Sequence, residues 1–437
     1  ALYQGGAGFI ACVRKRKRLS TMDFNIPNEI QDKLNELDEF IERVIKPLEA
    51  KNMKFFDYRR ENERTDWDND GKPTKEWEKL LRQMKDLADE AGHLRFALPK
   101  EIGGQAGSNL AMAMIREHLA HKGLGLHNDL QNESSIVGNF PLVHMMWRFG
   151  TDAQKAEFLP ALITGGRRVG FGLTELNHGS DATYMETSAV RDDDHWVING
   201  NKRFNSGIHE ATHDLVFART SGKPGEGIGI TAFLVPVTAP GFEVVKMDWT
   251  FNMPTDHGIV AVKDVRMPID TESYLGEEGD GLIVAQTFLH ENRIRQAASS
   301  VGAAQFCIDE AVAYAKQRTT WGKKLATNQA IQFPLTELHT EAEMVRNLVY
   351  KTAWNLDQQN HMAVTEQVSM ANYRANRLVW EASDRAMQVF GGEGYTRNQP
   401  FEHIYRHHRR YRITEGAEEI QIRKIAGHLF GFTGKNR

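Results

Sequence analysis

From residue 26 to about 164, apolar side chains recur at three- and four-residue intervals. Ile30, Leu34, Leu37, Phe40, Ile41 and Val44 form the stripe of an amphipathic helix, which Pro47 is expected to end. The same period predicts helices over 77–91, 110–121 and 135–149. The polar stretch from Arg59 to Lys75 reads as an exposed loop. Its Asp66, Asp68, Asp70 and Gly71 resemble part of a calcium loop but lack the closing Glu, so no metal is expected there.

Between about 169 and 275 the period falls to two. Segments 196–198 and 202–204 flank Asn199-Gly200, a hairpin signal, and further strands are predicted over 215–218, 230–237, 242–247 and 258–265. Gly222-Lys223-Pro224-Gly225 lacks the Lys-Ser/Thr of a phosphate-binding loop and is read as a hairpin turn. From Gly281 the helical period returns, over 282–318, 329–359, 363–390 and 417–429. Helices, strands and helices again make an α+β chain. The expected divisions are a leader at 1–21, a helical domain at 22–165, a β-domain at 166–278 and a helical domain at 279–437.

A chain of 437 residues has room for two or three domains. A net charge of -4 gives no sign of a nucleic-acid surface, and no apolar run is long enough to span a bilayer. Cys12 and Cys307 cannot make a disulfide framework, which favours a reducing compartment over secretion. Residues 1–21 contain no acid and carry Arg14-Lys15-Arg16-Lys17-Arg18 ahead of Met22. A non-native leader is the favoured reading. A targeting segment or a nuclear or polyanion signal are the alternatives, and the segment is left out of the fold argument.

The densest candidate chemistry lies in 388–421, QVFGGEGYTRNQPFEHIYRHHRRYRITEGAEEIQ. There Glu415 stands between Thr414 and Gly416, after the half-apolar Tyr411-Arg412-Ile413. A carboxylate in a dry pocket has its charged form disfavoured and becomes a usable general base. Gly416 would leave backbone room for a ligand. An ordinary surface Glu ahead of the last helix is an equally weighted reading of these residues alone.

Four segments together carry a resemblance. They are Leu173-Thr174-Glu175 with Gly179-Ser180-Asp181, the run Lys202-Arg203-Phe204-Asn205-Ser206-Gly207, Arg318-Thr319-Thr320-Trp321-Gly322, and the 388–421 stretch with its Gly-Gly-x-Gly-Tyr, Pro-x-Glu, Tyr-Arg and Glu-Gly. In this order and spacing the chain resembles the acyl-CoA dehydrogenases from about residue 26 to its end. The resemblance implies an N-terminal α-helical domain, a middle antiparallel β-barrel or sandwich and a C-terminal four-helix bundle. It also implies FAD between the β-domain and the last helices; no Gly-x-Gly-x-x-Gly follows a strand to suggest a Rossmann cofactor.

Carried over by motif, the FAD contacts are Phe171, Leu173, Thr174, Ser180, Phe204, Ser206, Ala417 and Glu419. Across a subunit interface they are Arg318, Thr320, Asn328, Gln329, Gln388, Gly391 and Gly392. The resemblance places Ser180, His290, Arg293 and Gly416 beside the substrate. Glu415 is implied to take the pro-R α-proton of an acyl-CoA while the β-hydrogen leaves as hydride for flavin N5, giving a trans-2-enoyl-CoA. The backbone N–H of Glu415 and the flavin ribityl chain would bond the thioester carbonyl. An electron-transfer flavoprotein as acceptor, a homodimer or homotetramer, and a cytoplasmic, mitochondrial-matrix or peroxisomal location are also implied.

The chain departs from the family pattern in places. Phe204 and Ser206 stand where Trp and Thr are usual, and Leu176 replaces a Pro. Some members place the catalytic Glu directly before the arginine at 293; here that residue is Asn292, and Glu291 is rotated about 100° away on a helix. An acyl-CoA oxidase, another flavin oxidase of this fold, or a non-catalytic acyl-CoA-binding protein are the competing readings. The Lys202–Gly207 run resembles a long-chain subgroup whose larger members carry kinase-like domains, a pointer to longer or branched acyl chains. His407-His408-Arg409-Arg410 is read as a solvated face or subunit contact ahead of a CoA-phosphate site. His118 and His121 share a helix face but lack the Glu of a zinc motif.

Overall fold

The computed structural model describes residues 25–129, 134–359 and 361–432; the segment read as a leader lies outside them. Helix α1 (Asn28–Phe40) buries Ile30, Leu34, Leu37 and Phe40. Pro47 does not end the helical run. A π-helical turn, Ile41–Ile45, leads into α2 (Lys46–Ala50), where Pro47 sits in the first turn. The run passes through because a π-helical turn precedes the proline, with the Lys46 N–H reaching back to the Ile41 carbonyl. Strands β1 (Thr65–Asp66) and β2 (Lys72–Pro73) pair within the stretch predicted to be loop.

Helices α3 (Lys75–Glu90) and α4 (Asn109–His121) start at Thr74 and Ser108, whose hydroxyls accept the Trp77 and Ala111 N–H groups. The helix expected over 135–149 begins only at Pro141. The residues before it form β4 (Ser134–Ser135), paired with β3 (Asn128–Asp129), and the helix is α5 (Pro141–Phe149). Helix α6 (Asp152–Thr164) follows behind a Thr151–Gln154 capping box.

The middle segment holds β5 (Val169–Gly172), β6 (Ser188–Asp192), β7 (His195–Ser206), β8 (His213–Arg219), β9 (Ile230–Pro236), β10 (Phe242–Met247), β11 (His257–Pro268) and β12 (Tyr274–Leu275). They join in one curved sheet, ordered β10-β11-β7-β6-β8-β9-β12, with β5 parallel to β8. One face buries Trp196, Ile198, Val216, Phe233 and Val260 within the sheet; the other packs Leu215, Phe217 and Leu234 with residues of α5, α6 and Val284.

Asn199-Gly200 is not a hairpin. It lies in mid-strand of β7, and the turn is Asp193-Asp194, between β6 and β7. Asn199 instead donates to the Asp264 carboxylate (3.1 Å) and accepts its N–H (2.9 Å) across a bulge in β11. Gly200 is required because a Cβ there would lie 2.3 Å from the Thr187 hydroxyl.

The helical layer contains α7 (Gly281–Gln317), the hairpin of β13 (Thr319–Thr320) and β14 (Lys323–Lys324), α8 (Gln329–Gln358), α9 (Thr365–Phe390), α10 (Phe401–Tyr411) and α11 (Glu418–Leu429). Helix α4 shares its core: Ala113 and Ala120 are buried with Ala297, Val301 and Ala304 of α7. Gly302 makes that approach close, since a Cβ there would meet the Glu117 carbonyl oxygen at 2.1 Å. A helix from the first third of the chain therefore backs α7 on the stretch that carries the site.

Candidate active site

Helix α10 ends at Tyr411, and the chain turns so that the N–H groups of Ile413 and Thr414 both reach the Arg410 carbonyl. Glu415 (φ 56°) and Gly416 (φ 89°) then take left-handed backbone before Ala417 opens α11. Such a conformation is costly for a glutamate and persists only where its surroundings hold it. Arg293 on α7 does so: its Nε donates to the Glu415 carbonyl at 2.8 Å, and Nη2 donates to the same oxygen. Burial lowers the pKa of Arg293, with Glu415 working the other way.

The sequence reading assigned the space over Gly416 to a ligand. Arg293 takes it: a Cβ at Gly416 would lie 2.9 Å from Nη2. Buried amides fix the rest of the turn. Gln421 Nε2 donates to the Gly416 carbonyl and the Asn372 side chain (both 2.9 Å), Asn372 to the Arg293 carbonyl (2.8 Å), and Asn376 to the Tyr411 carbonyl (3.0 Å). The next carboxylate, Glu418, is gripped by Arg412 and Arg377 and held down at about 2, chiefly by the Arg412 hydrogen bond. Glu418 is consumed by structure, whereas half-buried Glu415 turns toward α7.

Its neighbour there is Asn292, whose Nδ2 lies 3.4 Å from Glu415 Oε1. Asn292 accepts from Asn139 Nδ2 at 3.2 Å, and Arg295 donates to Asn139 Oδ1. The position before Arg293 thus faces the carboxylate in space, a relation that sequence alone could not supply. The side chain of Glu291 lies outside the described residues. One turn earlier on α7, Phe288 stacks on Phe171 of β5 with ring centres 4.1 Å apart. That stack brings the edge of the β-sheet within about one helical turn, roughly 6 Å, of the Glu415 contact.

Several of the expected cofactor residues converge on this edge. Phe171, Leu173 and Thr174 are half-exposed at the end of β5, and the Arg203 N–H bonds the Thr174 carbonyl at 2.9 Å, bringing β7 alongside. Beyond it Phe204 adopts φ 60° with 44% of its surface exposed, and Ser206 is exposed. A solvent-facing aromatic with accessible hydroxyls, next to a turn held against a sheet, fits a flat aromatic cofactor such as an isoalloxazine. Exposed Ser180 lies in the loop after β5, and Ala417 and exposed Glu419 begin α11.

The loop is anchored by a pair whose role the sequence did not reveal. Lys202, fully buried, donates to Glu175 at 2.9 Å, and Glu175 also accepts the N–H groups of Glu186 and Thr187. Burial lowers the Lys202 pKa against the pull of Glu175. Asp214, bonded by Asn205 at 2.5 Å, is pushed up to about 7 by burial.

The remaining expected residues do not join them within one chain. His290 is 1% exposed and faces α9, with Nε2 3.5 Å from the Thr365 hydroxyl. Arg318 and Thr320 lie at the far end of α7, about 37 Å from Arg293 at 1.5 Å per residue. Gln388, Gly391 and Gly392 share that end, because Phe390 stacks on Tyr314 at 4.1 Å. Asn328 caps α8, accepting the Ala330 N–H at 3.0 Å, and Gln329 begins that helix. The two groups would serve one ligand only if a second chain brought the distant end of its own bundle to this site.

His407 and His408 are not on a solvated face. Both are fully buried, bonded to Tyr411 and Ser300, and burial drives both pKa values down, that of His408 to about 3. His118 and His121 pair with Asp38 and Asp309. Among the described residues, Glu78, His209 and Glu210 converge within 4.8 Å, but Arg168, 2.8 Å from Glu210, supplies the neutralising charge there.

Family models for the acyl-CoA dehydrogenase N-terminal, middle and C-terminal domains match residues 45–166, 170–265 and 279–430. The chain is 32% identical over 416 residues to a short-chain-specific acyl-CoA dehydrogenase of Megasphaera elsdenii, covering 93% of this chain and all of the relative. It is 31% identical over 349 residues to a caffeyl-CoA reductase-Etf complex subunit of Acetobacterium woodii, covering 80% of this chain and 89% of that one. Its fold is similar to that of a glutaryl-coenzyme A dehydrogenase solved with glutaryl-CoA, with a TM-score of 0.77, 27% identity, and coverage of 95% and 98%.

Proposed function

The chain belongs to the acyl-CoA dehydrogenase family, whose members use FAD, and from that premise we propose that it oxidises the Cα–Cβ bond of an acyl-CoA with Glu415 as the base. The observation that supports this most is the division of labour in the Glu415 turn. Arg293 takes the backbone carbonyl, Glu418 takes Arg377 of α9 and Arg412 just past α10, and the Glu415 carboxylate faces α7 beside Asn292. FAD, when bound against Phe171, Thr174, Phe204 and Ser206, supplies the acceptor for the β-hydrogen as hydride.

The protein's own groups do the rest. The Cα–H bond breaks toward a Glu415 oxygen, which holds the proton. The Glu415 N–H, in a turn that cannot relax while Arg293 grips it, is a fixed donor for the thioester oxygen as negative charge develops there. Relatives named for a short-chain substrate and for glutaryl-CoA leave the acyl group open.

Electron-transfer flavoprotein is the acceptor we assign, supported by the relative named as part of an Etf complex. A homo-oligomer is assigned as well, because Trp321 and Tyr395 stand 97% and 95% exposed beside the distant cofactor segments. Phe333, Met344 and Trp354 add an exposed apolar stripe along α8. Among the described residues no helix is long and apolar enough to cross a membrane.

Glu415→Gln tests the assignment. The FAD-loaded variant should keep its flavin spectrum and stay oxidised when acyl-CoA is added without oxygen. Bleaching at the wild-type rate would remove Glu415 as the base, and rapid reoxidation of the wild type by air would identify an oxidase.

A further inference from the structure

Behind the edge that carries Phe171, Thr174, Phe204 and Ser206 lies a buried carboxyl group that the proposed reaction does not use. Asp214 of β8 is 0% exposed, as are Asn205 and Lys202 of β7. Strand alternation brings these groups together. Asn205 stands between the exposed Phe204 and Ser206 and points to the buried face of β7, while Asp214 pairs with Gly170 of β5, next to Phe171. Two glycines of β5 make the fit possible. A Cβ at Gly170 would lie 2.5 Å from Asp214 Oδ1, and one at Gly172 would lie 3.0 Å from Oδ2 and 2.9 Å from Asn205 Nδ2. The carboxyl group is therefore pressed against the backbone of the strand that carries Phe171.

Its contacts suit an acid that keeps its proton. An ionised carboxylate has about four lone-pair sites to fill, yet among the described residues no donor reaches Asp214 Oδ1. The Asn205 contact to Oδ2, at 2.5 Å, has the length of an O–H···O bond more than of an N–H···O bond. Asn205 Oδ1 also lacks a donor, and turning the amide over makes it the acceptor of the Asp214 proton. The cation that acts on Asp214 is Lys202, which is committed to Glu175 and the Leu173 carbonyl. The other elements packed here offer no charge: Gly170 from β5, Val235 from β9, Ile208 from the 208–210 turn, and Gly258 of β11 opposite Asn205. Of the titratable residues next in sequence, His213 packs its ring on Phe158 and Arg203 pairs with Asp248. Burial pushes the Asp214 pKa up to about 7, against the Asn205 bond and Lys202.

We propose that Asp214 tunes the bound flavin through β5: as the neutral acid it leaves reduction unopposed, and its ionisation makes the flavin harder to reduce. The reason is charge. Hydride arriving on an oxidised flavin leaves it with one negative charge, and a carboxylate behind the same strand, in a dry sheet, repels that charge. Asp214 is a positioning residue in this account, acting on the cofactor without touching it. The proposal rests on the reading of Phe171, Thr174, Phe204 and Ser206 as the edge that holds FAD.

The test follows the midpoint potential of the FAD-loaded full chain from pH 5.5 to 8.5 in the wild type, Asp214→Asn and Asp214→Leu. Between these limits the wild-type flavin should become harder to reduce, relative to either variant, by about tenfold in the reduction equilibrium, or about 30 mV for a two-electron couple. A general loss of packing would offset a curve without changing its pH dependence. A second readout needs no flavin. In infrared difference spectra between wild type and Asp214→Asn, the carbonyl band of a protonated carboxyl group should be present at pH 5.5 and gone at pH 8.5. Potential curves that run parallel in all three proteins overturn the proposal, and so does a missing carboxyl band at pH 5.5. The underlying site reading is tested apart, by FAD retention in Phe204→Ala, where binding about tenfold weaker is expected. Unchanged retention there would remove the cofactor edge, whereas weakened retention with parallel potentials would remove the role of Asp214 alone.

Discussion

The Arg293 guanidinium donates through Nε to the Glu415 carbonyl oxygen at 2.8 Å, joining α7 to a turn in which both Glu415 and Gly416 are left-handed. The arginine holds the backbone of the residue rather than its carboxylate. Side chain and main chain of Glu415 are thus served by adjacent residues of one helix, Asn292 and Arg293.

Arg293→Lys keeps the charge and loses the two-pronged grip. A buried charged hydrogen bond contributes about 1.5–3 kcal/mol, so the variant should melt lower and lose at least about tenfold in kcat while still binding FAD. Gly416→Ala should act in the same direction, because its Cβ meets Arg293 at 2.9 Å on a φ of +89°. Thermal melts alongside single-turnover flavin reduction check both; full kcat in Arg293→Lys would show the turn needs no clamp.

Asn292→Asp would set a second carboxylate about where Nδ2 now lies, 3.4 Å from Glu415 Oε1. Two carboxylates that close cannot both ionise freely, and the pair's upper pKa rises. The acid limb of the kcat/KM profile should move up by about one pH unit or more relative to wild type. An unmoved limb would mean that Asn292 does not act on the base.

Lys202→Met leaves the Glu175 carboxylate buried without its cation, for an expected loss of about 3–5 kcal/mol. Adding Glu175→Gln should recover part of it, since both charges are then gone. Urea unfolding of the two variants decides; a double mutant no more stable than the single one would show that the loop is held by something else.

Mild acid should destabilise the protein while its ordinary carboxylates are still ionised. His127 (about 4), His403, His407 and His408 (about 3) are buried and held neutral, with burial the largest cause in each. Their folded pKa values lie below the unfolded value near 6.5, so the folded state binds fewer protons. The stability they contribute is complete above pH 6.5 and is lost as pH falls toward their folded values. At pH 5.5 His127 and His408 have each cost about 1.4 kcal/mol, His403 and His407 act in the same direction, and Asp214, raised to about 7 by burial, opposes them over part of this range. Urea midpoints at pH 8 and 5.5 measure this. Equal midpoints would mean these histidines charge without unfolding the chain.

The sequence by itself determined the helix–strand–helix order, most helix limits and the candidacy of Glu415. Those depend on periodicity within one element, as in α1 and α9, or on a local run of residues. Two of its errors fell where side chains from other elements decide. Asn199-Gly200 has the composition of a hairpin, yet Asp264 and Thr187 hold it in mid-strand. His407 and His408 look like surface charge until Tyr411 and Ser300 close over them.

Tertiary structure alone decided that Arg293 fills the space over Gly416, and that Asn292 faces Glu415 from 123 positions earlier in the chain. It also separated the expected FAD residues, one group beside Glu415 and the other at the far end of the bundle. Local pattern reports which face of an element is apolar. It cannot report which side chains meet across elements, because that depends on how the rigid α7 and α9 rods pack together and on what the curved sheet leaves exposed at their side.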